Sequence, residues 1–127
     1  MSCFWDGILS SLVRNRLIQN TMTIVDIDKL LKSRNTLNPF VTCNRQQLTQ
    51  QQMHENYRHI QDYDISTINQ GYLCSGWDPF LFLICNVFNV NIVHEYISTT
   101  FYFSHLCQCQ KYLTLRFRSS ASHFEAN

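Results

Sequence analysis

Residues 76–97 read GWDPFLFLICNVFNVNIVHEYI, and the change of period inside them decides the fold class. Trp77-Asp78-Pro79 has the make-up of a helix start. Asp78 can accept hydrogen bonds from first-turn N–H groups, and Pro79 in the first turn lacks only an N–H that would have no partner there. From Pro79 to Phe88 the residues are apolar nearly all round, as expected of a helix buried in a core. From Asn91 to Ile97 the period becomes two, which is the alternation of a strand. Asn86, Asn89 and Asn91 interrupt the apolar run from Pro79 to Val93. It falls short of the roughly 20 residues that a membrane-spanning helix needs, so it is a core helix followed by a core strand, and no membrane span is expected.

Upstream of this stretch the patterns are helical. Phe4, Ile8, Leu9, Leu12, Val13 and Leu17 recur at helical spacing over Cys3 to Gln19, where Gly7 marks a possible close approach by another element. Thr23 to Ser33 predicts a second short helix. Gln46 to Asp64, rich in Gln, His and Tyr, predicts a helix lying on the surface. Ser66 to Gly76 is expected to be a loop, with Gly71 and Gly76 as breakers. Downstream the patterns are those of strands: Thr100 to Ser104, Lys111 to Arg118 and a short Ser122 to Ala126. In the second of these, Leu113, Leu115 and Phe117 share one face, and Tyr112, Thr114, Arg116 and Arg118 the other. Helices first and strands afterwards predict an α+β fold, a small mostly antiparallel β-sheet flanked by helices, with the strands as a meander. A chain of 127 residues suits one domain over residues 1–127.

With 45% hydrophobic and 13% aromatic residues there is material for a real core, which argues against global disorder. A formal net charge of +1 and only 15% charged residues argue against a general nucleic-acid binder, since phosphate recognition needs clustered Lys and Arg. Arg116-Phe117-Arg118 is better read as strand residues whose arginines point the same way. No basic region precedes an apolar stretch at the N-terminus, so no signal peptide is expected. The six cysteines, Cys3, Cys43, Cys74, Cys85, Cys107 and Cys109, are then expected to be free thiols in a reducing, cytoplasmic compartment.

Two residues near opposite ends of the chain suggest chemistry. Cys3 falls in the first turn of the first helix, where unpaired N–H groups and the positive end of the helix dipole favour a thiolate. The alternative is a small apolar residue near a chain end. His123 lies in a strand-like segment, and Glu125, two residues on, leaves that strand on the same face. This is a workable arrangement for a carboxylate orienting an imidazole. Asn127 is next on that face; the alternative is an exposed edge histidine. His105, Cys107 and Cys109, with Cys74 or His94 as a fourth ligand, are the best zinc candidates, but their spacing is tighter than that of standard fingers. No metal or other cofactor is therefore expected. Trp77 is either a core anchor beside the helix start or a substrate-binding aromatic. His54, His59 and His94 are scattered, and no catalytic role is expected of them.

These residues carry a family resemblance. Cys3-Phe4-Trp5-Asp6-Gly7-Ile8-Leu9 resembles the nucleophile helix of OTU (ovarian tumour)-type cysteine proteases. Gly76 to Val93 is similar to that family's aromatic-plus-glycine loop, core helix and following strand. Ser122-His123-Phe124-Glu125 resembles its closing motif. The resemblance implies a compact OTU-like cysteine protease with Cys3 as nucleophile, His123 as general base and later acid, and Glu125 orienting the imidazole. The implied partner is ubiquitin or a ubiquitin-like modifier, cleaved at its C-terminus, or else a polyprotein junction. A cytoplasmic location goes with this, the host cytosol if the source is a virus or an intracellular bacterium. Two positions depart from the family. Only Met1 and Ser2 stand where an Asp-Gly-type loop usually helps to build the oxyanion hole, and Glu125 stands where Asp or Asn is usual. Both departures fit the alternative of an OTU-like binding or structural protein with weak or no activity.

Overall fold

The structure, a computed structural model, describes residues 3–107, 110–120 and 123–127. It is α+β: four helices and a five-stranded mixed sheet. The helices are α1 (Cys3–Arg14), α2 (Ile24–Ser33), α3 (Gln50–Asp62) and α4 (Pro79–Phe88), and a 3-10 helix, Ile65–Gln70, precedes α4. The strands are β1 (Val41–Cys43), β2 (Asn91–Tyr96), β3 (Thr99–His105), β4 (Thr114–Ser119) and β5 (Phe124–Ala126).

The helix ends follow local chemistry. α4 starts as its sequence predicts, with the Asp78 side chain accepting the Phe80 N–H at 2.9 Å and Pro79 in the first turn. It ends at Asn89 in the left-handed conformation (φ 57°), a role asparagine tolerates better than most residues. Val90 then leads directly into β2. α2 and α3 both begin with capping boxes, Thr23 with Asp26 and Thr49 with Gln52, in which side chain and backbone satisfy each other reciprocally. α1 stops at Arg14 rather than Gln19. Arg16 turns left-handed (φ 60°), and Arg16 N–H and Leu17 N–H bond back to the carbonyls of Val13 and Leu12. This closure usually employs glycine, and an arginine there gives no sequence signal.

The sheet order is β1-β3-β2-β4-β5, which corrects the expected meander. β3 pairs antiparallel with β2, but β4 pairs parallel with the other edge of β2, with Ile92 opposite Leu115 and His94 opposite Phe117. A meander would put β4 beside β3. That edge is already taken by β1, with Val41 opposite His105, a strand too short to show a period. β5 then adds antiparallel to β4.

Only one face of β4 is buried: Leu115, Phe117 and Ser119 are buried, while Arg116 and Arg118 are exposed. Arg118 reaches Glu95 at 3.2 Å on that exposed face, as expected for strand arginines. Against the buried face lie Phe82 on Phe103 (ring centres 5.0 Å apart) and Phe4 on Phe124 (4.9 Å). The core helix is as apolar as its sequence requires, with six consecutive buried residues from Phe80 to Cys85. α3 buries only Ile60, which suits a helix lying on the surface. No helix among the described residues is long and apolar enough to cross a membrane.

Candidate functional site

Cys3 and His123 line one cleft of about 110 Å³. Four pieces of chain meet there, one of them the end of β2 at Tyr96. α1 brings Cys3 as its first residue, the end at which helix N–H groups lack intrahelical acceptors. The segment of residues 72–74 forms a wall. The end of β4 brings Ser119, and the residues entering β5 bring His123 and Phe124. A bond from Ser120 N–H to His123 O, 2.8 Å, ties the base of the β4–β5 connection.

α1 seats on β5 because Gly7 has no side chain. A Cβ at Gly7 would lie 2.8 Å from the Phe124 ring. The close approach suggested by a glycine in this helix is therefore to the residue beside His123. Phe124 is buried and touches Phe4, Phe117 and His94, so the base of the cleft is rigid.

The wall at residues 72–74 is held by Asp78. Its buried carboxylate accepts the Tyr72 hydroxyl (2.8 and 3.1 Å) and the Ser75 N–H (3.1 Å), in addition to capping α4. His59 Nε2 meets the same Tyr72 hydroxyl at 2.9 Å. Burial raises the pKa of Asp78, and the hydrogen bonds from Tyr72, Ser75 and Phe80 partly offset this. No sequence period pointed to this network, because Tyr72 and Asp78 are joined across a loop.

His123 Nε2 lies 3.6 Å from Glu125 Oε2, and both side chains are about half exposed. The shared face was legible from the two-residue spacing. The separation is that of a loose ion pair rather than a hydrogen bond, and it leaves Nδ1 of His123 as the nitrogen without the carboxylate. The main chain of Asn127 is anchored: its N–H bonds to Arg116 O, and its carbonyl accepts from Arg14.

Trp77, His105 and Cys107 are not among the residues lining the cleft, whereas Cys74, one of the two possible fourth zinc ligands, is. Trp77 is half-buried and packs on Phe82 with ring centres 6.3 Å apart. His105 is buried with Nε2 bonded to the carbonyls of Cys85 and Val90 (2.9 and 3.0 Å), its ring stacked on Tyr112. Among the described residues no group of His, Cys, Asp or Glu is arranged to hold a metal. Cys109 and the pre-nucleophile run Met1–Ser2 lie outside the described residues. Cys3, Cys43, Cys74 and Cys85 are free thiols. Cys107 corrects the expectation for its position, being disulfide-bonded. Cys43 and Cys85 are core residues, and burial pushes the Cys43 thiol up to about 12.

His94, like His54 and His59, was expected to have no catalytic role. It is fully buried, yet its Nε2 bonds to Ser119 Oγ at 2.6 Å, and Ser119 lines the cleft. Its Nδ1 faces the Gly76 main chain without a hydrogen bond of good geometry. The only sequence signal was its place on the inward face of β2.

No family model, curated protein or solved structure matches this chain. Its functional reading therefore rests on its own residues.

Proposed function

We propose that this chain is a cysteine peptidase of the OTU type, cleaving peptide or isopeptide bonds at the C-terminus of ubiquitin or a ubiquitin-like modifier. The observation that carries the reading is the meeting of Cys3 and His123, 120 positions apart in the sequence, in one small cleft. In the reaction, His123 Nδ1 takes the Cys3 proton, and the thiolate adds to the substrate carbonyl. The tetrahedral intermediate collapses to a thioester as His123 hands its proton to the departing amine. Water, deprotonated by His123, then hydrolyses the thioester and regenerates the thiol. Glu125 holds the Nε2 side of the ring. The Cys3 amide at the start of α1 serves as a donor to the oxygen on which negative charge develops.

A second reading has one observation in its favour. The His123–Glu125 pair is long and half exposed, as suits an OTU-like binding protein under no demand to hold an imidazole still.

Ubiquitin carrying a C-terminal propargylamide separates the two. The enzyme forms a covalent adduct at Cys3, absent from Cys3→Ala and slowed by about 10²-fold or more in His123→Ala. Folded wild-type chain that binds the probe without forming an adduct rules out the peptidase and leaves the binding protein.

A further inference from the structure

Cys3 shares its cleft with a second thiol, Cys74. Both are free and half-buried. Tyr72 and Cys74 are half-buried, and Leu73 between them is 82% exposed at the edge of the same cleft. Tyr72 packs on Phe4 and Trp5 of α1, with ring centres 4.7 and 6.4 Å apart. Cys74 lines the same cleft as Cys3, the first residue of that helix. The Cys74 thiol donates weakly to Ser75 O at 3.4 Å and lies beside the Asp78 carboxylate.

We propose that Cys3 and Cys74 form a peroxide-responsive pair, in which Cys74 closes a reversible disulfide onto oxidised Cys3. The inference rests on the reading of Cys3 as the reactive thiol of the cleft. In the first step the Cys3 thiolate attacks hydrogen peroxide, the O–O bond breaks, and Cys3 becomes a sulfenic acid as hydroxide departs. In the second step Cys74 sulfur attacks the Cys3 sulfur. The S–O bond breaks, and the sulfenic hydroxyl leaves as water with the Cys74 proton. Two thiols and one peroxide thus yield one disulfide and two waters. Burial, and then the neighbouring Asp78 carboxylate, raises the pKa of Cys74. Oxidation is placed at Cys3, which stands in the first turn of α1 where helix N–H groups lack intrahelical acceptors. The disulfide blocks the nucleophile and also stops its further, irreversible oxidation.

The test treats the reduced full-length chain with hydrogen peroxide and maps thiols by mass spectrometry without reductant. The expected product is a Cys3 peptide joined to a Cys74 peptide, with the parent mass lower by about 2 Da and restored by dithiothreitol. In Cys74→Ser the link is absent, and Cys3 accumulates several-fold more dimedone adduct than in wild type. Equal dimedone labelling of Cys3 in both proteins with no joined peptide overturns the proposal, as does a link through core Cys43 or Cys85. Parallel labelling with ubiquitin propargylamide keeps the two readings apart. A chain that forms the Cys3–Cys74 link but no ubiquitin adduct keeps this inference and loses the peptidase. A chain that forms the adduct but no link does the reverse.

Discussion

Ile97 occupies the turn between β2 and β3 with φ 57° and is 63% exposed. A β-branched residue is strained in the left-handed region, by roughly 1–2 kcal/mol relative to the right-handed one, and here burial offers little in return. Ile97→Gly is expected to raise stability by about 0.5–1 kcal/mol, read as a higher urea midpoint with unchanged slope. His94 presents a different residue-scale consequence. Burial lowers its pKa from 6.5, and the Gly76 main chain only partly opposes this. The unfolded chain therefore takes up a proton near pH 6.5 that the folded protein resists. The stability held this way is complete above about pH 6.5 and is lost as pH falls through the folded value. Urea midpoints are expected to drop between pH 7.5 and pH 5, and to drop less in His94→Gln. Comparing the two proteins isolates His94 from Asp28 and Asp78, whose burial raises their pKa and acts with the opposite sign.

Among elements, the contact of α1 with β5 shapes the cleft most directly. In isolation Gly7→Ala would favour the helix by about 1 kcal/mol. In the fold, the new methyl would meet the Phe124 ring at 2.8 and 2.9 Å, and Phe124 is pinned by Phe4, Phe117 and His94. Overpacking of this kind costs about 1–3 kcal/mol, so the variant is expected to be less stable despite its better helix propensity. Because Phe124 adjoins His123, the same substitution is expected to slow adduct formation at Cys3 by more than its loss of folded protein explains. Denaturant unfolding and probe kinetics on one preparation check both. Of the elements themselves, α2, α4, β2 and β3 were legible to within a residue or two, because each has a clear period or a capping signal. β1 was not, since three residues show no period. Nor was the end of α1, where Arg16 does the work usually left to glycine.

At the scale of the molecule, the two chain ends are joined through one buried ring. Phe124 connects α1, β4 and the buried face of β2. Phe124→Ala is expected to cost about 3–5 kcal/mol and to release both halves of the candidate dyad together, so that stability and Cys3 reactivity fall in step. A urea titration followed by tryptophan fluorescence reports the first and probe labelling the second. The sequence by itself determined the α+β class, the core helix and its cap, the two alternating faces of β4, and the placing of His123 and Glu125 on one face across two residues. These are local matters, written in periods of 2 and 3.6 and in the side chains that cap or alternate. Only the tertiary structure decided that β4 lies parallel to β2, that Asp78 moors the cleft wall through Tyr72, and that Cys74 stands in the same cleft as Cys3. Those depend on which edges and faces remain free after the other elements have packed, and no short window of sequence contains that information.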